Sequence, residues 1–194
     1  MNKLVFATNN VHKLEEVRSI LEPQYKIISL EDLKCNDVIP ETSDTLEGNA
    51  LLKATYIHNK FGLSCFADDT GLEIEGLGGQ PGVYSARFAG EDSNSLKNMN
   101  KVLYLMGNKK NRKACFRTII ALILDDNTLY FEGKINGNIS MNPKGESGFG
   151  YDPIFVPVGS LLSFAELSAV EKNQISHRRL ALNKLIDYLQ QNTK

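Results

Sequence analysis

The chain has 194 residues, of which 42% are hydrophobic and 23% are charged, a composition typical of a soluble globular protein. Its 22 basic and 23 acidic residues give a net charge of -1, which excludes a global electrostatic surface for duplex DNA or an anionic membrane. With about 150 residues expected per domain, we predict one domain spanning residues 1–194.

The cysteines Cys35, Cys65 and Cys115 stand far apart in the sequence and form no CxxC pair. This spacing is typical of free thiols in a reducing compartment rather than of a disulfide framework or a zinc site. The apolar runs at residues 4–7 and 119–124 are too short for a signal-peptide core or a membrane span. We therefore expect a cytoplasmic protein without a membrane segment.

The amino-terminal residues 3–8 form a β-rich run, and a helix pattern follows them. Asn10 is the expected N-cap of this helix, and Pro23 is expected to end it. A second strand is predicted at residues 26–30. The apolar residues on one face of the first helix are Val11, Leu14, Val17 and Leu21.

Asp44 and Glu47 resemble a capping pair and predict the start of a second helix, which Gly62 is expected to end. The apolar face of this helix consists of Leu46, Ala50, Ala54, Ile57 and Phe61. Residues 63–67 are expected to form a buried strand that leads directly into Asp68-Asp69-Thr70-Gly71.

The carboxyl-terminal part of the chain continues to mix strand and helix patterns. Glycines and Pro81 within residues 72–88 predict a short strand, a loop and another short strand. Two further helices are predicted, one with the apolar residues Leu96, Met99, Leu103 and Met106 and a last one with Leu182, Leu185, Ile186 and Leu189. A hairpin is predicted from strands 114–124 and 128–132 around Asp125-Asp126-Asn127, and a further strand at 151–157. The loops between these elements are a solvated basic loop at 109–113 and a glycine loop at 145–150. This pattern predicts an α/β or α+β fold with a mixed sheet.

The segment Thr8-Asn9-Asn10-Val11-His12-Lys13 lies at a predicted strand-to-helix junction. Exposed N–H groups and the positive end of the helix dipole suit a phosphate there, and Lys13 adds a positive charge. Taken alone, these residues slightly favour an ordinary capped turn. The chain has neither a GxxxxGK[ST] nor a GxGxxG motif, which disfavours a P-loop NTPase and a Rossmann enzyme.

Four carboxylates form a second constellation: Glu41, Glu47, Asp68 and Asp69. The pair Asp68-Asp69 follows an apolar strand, where open α/β sheets present reactive groups. Adjacent carboxylates repel each other, so a site that holds them together usually adds a cation, and oxygen ligands beside phosphates indicate Mg²⁺. An Asx turn before the following glycine is the alternative interpretation. Lys53 lies four residues after an asparagine on one helix face, although a surface lysine would have the same pattern.

A third constellation combines Gly148-Phe149-Gly150-Tyr151-Asp152-Pro153 with Lys172 and Ser176-His177-Arg178-Arg179. The glycines allow close backbone approach, the aromatic ring offers a stacking face, and the cations can donate to an oxo group or a phosphate. A glycine-rich turn and a basic helix start are the alternative. Cations at a helix N-terminus oppose the helix dipole, however, so a compensating anion is expected.

Together these segments resemble the inosine triphosphate pyrophosphatase family, whose members remove non-standard purine nucleotides. The matching segments are TNNVHK (8–13), ET (41–42), NALLKA (49–54), ADDTGLE (67–73), LGGQPGVYSARFAGED (77–92), GFGYDPIF (148–155) and ISHRR (175–179). They cover almost the whole chain in order. The resemblance implies an α/β fold with a mixed β-sheet, flanking helices and two lobes around a central substrate cleft. It also implies a homodimer that hydrolyses ITP, dITP and XTP to the monophosphate and pyrophosphate with Mg²⁺.

The resemblance also assigns roles to individual residues. It places residues 8–13 on the phosphates and Glu41 with Asp69 on the metal. Asp69 would also accept a proton from water, with Asp68 and Lys53 nearby. The residues that it places at the nucleotide are Thr70, Phe149, Gly150, Tyr151, Asp152, Lys172, His177 and Arg178.

This sequence departs from the family pattern at two positions. Gly48 stands where many members have a second acidic residue, so Glu47 need not act in a pair, and Thr70 replaces a common serine but keeps the hydroxyl. A pyrophosphatase for pyrimidine or modified nucleoside triphosphates is the nearest alternative function. A nucleotide-binding module without turnover is a second, which the clustered carboxylates disfavour. Single-stranded RNA binding is disfavoured by an aromatic content of 8%, the absence of tryptophan and the balanced charge, so no nucleic-acid partner is expected.

Overall fold

The computed structural model describes residues 2–21, 25–125 and 127–192. Within these residues the strands are β1 (Asn2–Phe6), β2 (Tyr25–Ile28), β3 (Cys65–Ile74), β4 (Pro81–Gly82), β5 (Lys113–Leu124), β6 (Asn127–Ile139) and β7 (Phe155–Pro157). The α-helices are α1 (Val11–Leu21), α2 (Leu46–Phe61), α3 (Ser95–Met106), α4 (Ala169–Ile175) and α5 (His177–Asn192). The predicted α/β class is confirmed.

The strands form one mixed sheet in the order β2-β1-β3-β5-β6-β7, and β4 pairs with β3. β1 runs parallel to β2, with Leu4 opposite Ile27, and parallel to β3, with Phe6 opposite Phe66. β4 is antiparallel to β3, and β7 is antiparallel to β6. Parallel and antiparallel pairing in one sheet confirms the predicted mixed sheet.

The chain divides into two compact units, between which it passes more than once. Unit 1 comprises the described residues of 1–69, 118–133 and 179–194, and unit 2 comprises 70–117 and 134–178. The assignment of the whole chain to a single domain stays a prediction.

Unit 1 has its own apolar core, built from β1, β3 and helices α1 and α5. The rings of Phe6 and Phe66 stack with their centroids 4.6 Å apart. The predicted apolar face of the last helix is confirmed, because Leu182, Leu185 and Leu189 are buried in this core. On α1, by contrast, Val11 is exposed although the periodicity predicts it on the apolar face, because it is the first residue of the helix and lies outside this core.

Unit 2 packs α3 against an aromatic cluster. Phe155 lies with its ring centroid 4.6 Å from that of Phe116 and 5.0 Å from that of Phe164. The prediction that Met99 and Met106 face the core is confirmed. Leu96, at the start of α3, is exposed instead, because the core contacts begin one turn further along the helix.

Strand β3 is longer than predicted and corrects the placement of the carboxylate pair. It continues to Ile74, so Asp68 and Asp69 lie inside a strand rather than after one, and the alternative Asx turn is wrong. The physical reason is pairing beyond the carboxylates, where Leu72 lies opposite Gly82 of β4 and prolongs the ladder. The two carboxylates therefore occupy fixed positions on neighbouring β-residues.

Strand β6 is also longer than the predicted 128–132, because its glycines do not interrupt it. A Cβ atom on Gly137 would lie only 2.5 Å from the ring of Phe155, so glycine here permits the close approach of β7. The predicted strand 151–157 is shortened to β7, because residues 152–154 form a 3₁₀ turn that accommodates Pro153.

Smaller corrections concern loops and helix ends. The basic loop is not simply solvated, because Arg112 donates hydrogen bonds to the carbonyl oxygens of Gly107, Ile139 and Ser140. Helix α4 was not predicted as an element of its own. The expected helix stop Pro23 and the middle hairpin residue Asp126 lie outside the described residues. Within the described part of the chain, no helix has both the length and the apolar character needed to cross a membrane.

The N-cap of helix α2 differs from the predicted one. Thr45, not Asp44, is the N-cap, and its hydroxyl accepts a hydrogen bond from the backbone N–H of Gly48 at 3.1 Å. We expect Thr45→Ala to lower the free energy of unfolding by about 1 kcal/mol, as measured by urea denaturation. The control Asp44→Ala should change it by less than half as much. A larger loss in the Asp44 variant would contradict the assignment.

Candidate functional site

The segment between β1 and α1 presents a capped helix N-terminus to solvent. The side-chain oxygen of Asn10 accepts from the backbone N–H of Lys13 at 3.1 Å, which confirms Asn10 as the N-cap. The hydroxyl of Thr8 accepts from the backbone N–H of Asn10 at 3.2 Å. Asn9, Val11 and His12 complete the segment and are exposed. The positive end of the helix dipole is thus open to an anion.

Lys13 connects α1 to the carboxylate pair of β3. Its ammonium lies 3.0 Å from a carboxylate oxygen of Asp68, and the two side chains are only 13% and 1% exposed. Two buried charges of opposite sign at this distance stabilise each other far more than an exposed pair would. The structure therefore places Lys13, which sequence analysis assigned to the phosphates, beside the acidic pair.

Lys53 of α2 joins the two carboxylates that sequence analysis assigns to a metal. Its ammonium donates to Glu41 and lies 3.5 Å from a carboxylate oxygen of Asp69. Asn49, one helical turn earlier, donates its side-chain N–H to the other oxygen of Asp69 at 3.3 Å. The structure thus brings together Glu41, Lys53 and Asp69, as predicted, and adds Asn49 to them.

Charged side chains of both signs meet in this cluster. The carboxylates of Glu41, Asp68 and Asp69 lie within salt-bridge distance of the ammonium groups of Lys13 and Lys53. Burial raises the pKa of Asp69, and the other carboxylates raise it further, against the opposing effect of the lysines. Burial lowers the pKa of Lys53, but the three carboxylates outweigh this effect and raise it. The cluster therefore favours the charged form of Lys53 and gives Asp69 an unusually basic carboxylate.

Glu41 and Asp69 are the residues best placed to hold a hard cation. Their carboxylates both reach the Lys53 ammonium, so their oxygens converge on one small volume. In the described part of the chain, no group of three or more His, Cys, Asp or Glu residues is arranged to hold an ion. A divalent ion with two carboxylate ligands would therefore complete its shell with water and phosphate oxygens, the arrangement that Mg²⁺ favours.

Gly48 departs from the family pattern for a steric reason. A Cβ atom there would lie 2.0 Å from the hydroxyl oxygen of Ser43 and 2.6 Å from its Cβ. Ser43 also donates its backbone N–H to the side-chain oxygen of Asn49 at 2.9 Å. In this chain Ser43 occupies the space that a larger residue at position 48 would need.

Unit 2 contains a second polar cluster, centred on Asp152. Its carboxylate accepts from the backbone N–H of Phe149 at 2.8 Å and from the ammonium of Lys172 at 2.8 Å. The charged side chains are only 4% and 6% exposed, so the ion pair is buried. Gly148 has φ +77°, and a Cβ there would lie 2.2 Å from the Asp152 carboxylate, so glycine is required at this position. With Gly150, it shapes the loop around the carboxylate.

Cations surround the ring of Phe149. The ammonium of Lys172 lies 4.7 Å from its centroid, and the guanidinium of Arg178 lies 5.8 Å away. Arg178 also donates to the hydroxyl of Thr70 at 3.5 Å and is buried. These contacts confirm the predicted association of the glycine loop with the basic start of α5. They also place the hydrogen-bond donors of two cationic side chains beside one aromatic ring in unit 2.

His177 and Tyr151 pack into the core of unit 2. The His177 imidazole stacks on Phe116, with centroids 4.6 Å apart. Tyr151 is buried, and its hydroxyl donates to the backbone carbonyl of Ser85 at 2.7 Å. Burial raises the pKa of this hydroxyl. A ligand contact at either residue stays a prediction.

The predicted site residues therefore form two groups. Unit 1 contains residues 8–13, Glu41, Lys53, Asp68 and Asp69. Unit 2 contains Thr70, Phe149, Gly150, Tyr151, Asp152, Lys172, His177 and Arg178.

Sequence analysis missed the contributions of Ser85 and Phe116. Phe116 belongs to an apolar strand run and has no local signal that distinguishes it from other core residues. For Asn49, the signal in the sequence was its four-residue spacing from Lys53, which places both side chains on the same face of the helix.

Comparison with known proteins gives a consistent result. A model of the Ham1 family matches residues 4–188. A dITP/XTP pyrophosphatase of Porphyromonas gingivalis is 56% identical over 190 residues, covering 97% of this chain and 98% of the relative. One from Flavobacterium johnsoniae is 52% identical over 187 residues, covering 96% and 97%. The solved Ham1 protein of Staphylococcus aureus aligns with a TM-score of 0.89 at 38% identity and covers 99% of this chain and 100% of that one.

The buried charge cluster predicts a pH-dependent stability change in Lys53→Met. At pH 8 in EDTA we expect a loss of about 3 kcal/mol in the free energy of unfolding, because the carboxylates lose a buried partner. Loss of Lys53 raises the pKa of Asp69 further, so the folded state binds a proton more tightly than the unfolded state. Stability is therefore regained as the pH falls through the folded pKa.

Urea denaturation of this variant at pH 8 and pH 5 measures the effect relative to wild type. Lys109→Met, in an exposed loop, is the control and should show no such dependence. An equal loss at both pH values for Lys53→Met would contradict the electrostatic account.

Proposed function

The chain belongs to the Ham1 family, and we propose that it hydrolyses the non-standard purine nucleoside triphosphates ITP, dITP and XTP to the monophosphate and pyrophosphate. Relatives that are 43% to 56% identical over nearly the whole chain are dITP/XTP pyrophosphatases. This reaction would remove deaminated purines from the nucleotide pool. The observation that carries the proposal for this chain is the cluster of Lys13, Lys53, Glu41, Asp68 and Asp69.

In this proposal Asp69 is the general base. Burial raises its pKa, and the neighbouring Glu41 and Asp68 carboxylates raise it further against the effect of the lysines, which makes its carboxylate a better proton acceptor. It would accept a proton from a water molecule whose oxygen forms a bond to the α-phosphorus. The bond from that phosphorus to the bridging oxygen breaks, and pyrophosphate leaves with the electron pair. The proton then passes from Asp69 to solvent.

We propose Mg²⁺ as the metal, held by Glu41 and Asp69. When bound, it would offset the negative charge that develops on the phosphate oxygens. Lys53 contacts both of these carboxylates, so its ammonium lies where it could also donate to the phosphates. Asp68 would hold Lys13 in place until the substrate arrives.

The phosphate chain would bind at the segment from Thr8 to Lys13. Three features support this: an open helix N-terminus, the hydroxyl of Thr8 and the ammonium of Lys13. The chain as a whole is almost neutral, so a tetra-anionic substrate needs such a local concentration of positive charge.

The base would bind at the donors of unit 2. Hypoxanthine and xanthine carry an oxygen at C6, which accepts hydrogen bonds, where adenine carries an amino group that donates them. Arg178, with its guanidinium held by Thr70 beside Phe149, is the proposed donor, and His177, Lys172 and the backbone of residues 149–152 are the other proposed contacts. A donor facing the amino group of adenine would leave both unpaired.

The remaining assignments are proposals as well. The free buried thiols favour the cytoplasm, and the family resemblance implies a homodimer that acts on small molecules without a nucleic-acid partner. Hydrolysis of pyrimidine or modified nucleoside triphosphates is the alternative substrate class.

A substrate panel tests the proposed function. We expect pyrophosphate release from ITP, dITP and XTP with Mg²⁺, little from ATP, dTTP or UTP, and none in EDTA. Asp69→Asn, which keeps the shape but cannot accept the proton, should bind ITP yet lose at least 100-fold in rate. Preferred turnover of dTTP or UTP would favour the alternative substrate class, and nucleotide binding without pyrophosphate would favour a binding module.

Arg178→Ala tests the base contact. We expect the ratio of kcat/KM for ITP to that for ATP to fall at least tenfold, mainly because ITP is hydrolysed more slowly. Circular dichroism and thermal unfolding check that this buried position still permits folding, and Arg178→Lys, which keeps the charge, provides a second variant. An unchanged ratio in folded protein would assign base recognition to the backbone donors of the Phe149 segment.

A further inference from the structure

One face of helix α2 carries a row of polar side chains, which we name the polar stripe. It consists of Asn49, Lys53, Tyr56 and Lys60. At 3.6 residues per turn these positions lie within about 60° of one another around the helix axis. The first two are buried and belong to the candidate site, whereas Tyr56 and Lys60 are exposed and have no role in the proposed reaction.

Segment 29–45, which joins β2 to α2, lies along the polar stripe and runs in the opposite direction. Its Ser43 binds Asn49 at 2.9 Å, and its Glu41 binds Lys53. The segment contains no helix or strand. An irregular segment of this length is usually functional. Backbone hydrogen bonds hold residues 29–35 in turns, so side-chain contacts are what fix the extended part that follows.

The outer half of the polar stripe holds the same segment at Asp37. The Asp37 carboxylate accepts from the Tyr56 hydroxyl at 2.5 Å and from the Lys60 ammonium. These hydrogen bonds lower the pKa of Asp37, so it remains ionised at neutral pH. The backbone carbonyl of Asp37 in turn accepts from the side-chain N–H of Asn9 at 3.4 Å. Asp37 therefore connects α2 to the proposed phosphate segment.

We propose that Asp37, Tyr56 and Lys60 are positioning residues, which hold Glu41 for the metal and Asn9 for the phosphates. This inference rests on the proposed function, because it assigns those tasks to Glu41 and Asn9. Asp37 lies four residues before Glu41 in the same irregular segment, so release of Asp37 frees the chain on one side of Glu41. The other side stays fixed by Ser43 and the start of α2.

The arrangement predicts which properties respond when Asp37 is removed. An exposed ion pair contributes little to global stability. Loss of the Asp37 carboxylate should therefore increase the local motion of residues 35–43 without unfolding the protein. Without Asp37, Glu41 would become ordered only when the metal binds, and the free energy of that ordering would weaken the affinity for Mg²⁺. The rate at saturating Mg²⁺ would not change, because Glu41 is then ordered in both proteins.

The test compares Asp37→Ala with Asp92→Ala. Asp92 forms an exposed ion pair with Lys97 at 2.6 Å, in a part of the chain that contributes nothing to the proposed site. For Asp37→Ala we expect faster hydrogen exchange at residues 35–43 without metal, and a Mg²⁺ concentration for half-maximal ITP hydrolysis about tenfold higher than in wild type. The kcat at saturating Mg²⁺ should stay within twofold. Asp92→Ala should change none of these, and Lys60→Arg should resemble wild type.

Three results would overturn the proposal. The first is unchanged exchange at residues 35–43 in Asp37→Ala, and the second is faster exchange with an unchanged Mg²⁺ requirement. The third is a fall in kcat together with a loss of global stability, because a merely structural role predicts that result. If wild type releases no pyrophosphate, the proposed function fails. Calorimetric titration with Mg²⁺ alone then decides the positioning role, because Asp37→Ala should still bind about tenfold more weakly.

Discussion

Two adjacent carboxylates inside a buried strand are the constraint on which unit 1 depends. Asp68 and Asp69 occupy successive positions of β3, so their side chains leave the strand on opposite faces, and each needs a cation from a different helix. Lys13 of α1 supplies one, and Lys53 of α2 supplies the other. Burying a carboxylate without such a partner costs several kcal/mol. The positions of both helices relative to β3 are thus linked to the charges of the site.

The same constraint gives the site its chemistry. Burial raises the pKa of Asp69 against the opposing effect of the lysines, and the neighbouring carboxylates raise the pKa of Lys53. In the structure the two lysines are the internal partners of these carboxylates. A divalent cation would take the place of the lysines beside the carboxylates, and a polyphosphate would take the place of the carboxylates beside the lysines. Neither the carboxylates nor the lysines would then be buried without a charged partner.

Much of this could be predicted from the sequence, element by element. Asn10 as a cap and the helical face of Leu182 and Leu185 follow from local chemistry and spacing, whereas the approach of Lys53 to Asp69 was implied by the family resemblance. The errors arise where distant residues decide a local structure. β3 is prolonged by its pairing with β4, which lies outside the window of residues around Asp68 and Asp69. The cap of α2 is a different kind of error, a one-residue shift within a local pattern, because Thr45 rather than Asp44 binds the Gly48 N–H.

By itself the sequence determined the fold class, the family resemblance and the types of residue that can bind phosphate and metal. These follow from periodicity and motif order, which are properties of the chain alone. Tertiary structure decided which residues share a site. Asp37 with Lys60, and His177 on Phe116, are far apart in sequence and meet only after folding. The reason is that burial and pairing energies depend on distance in space, whereas propensity and spacing describe distance along the chain.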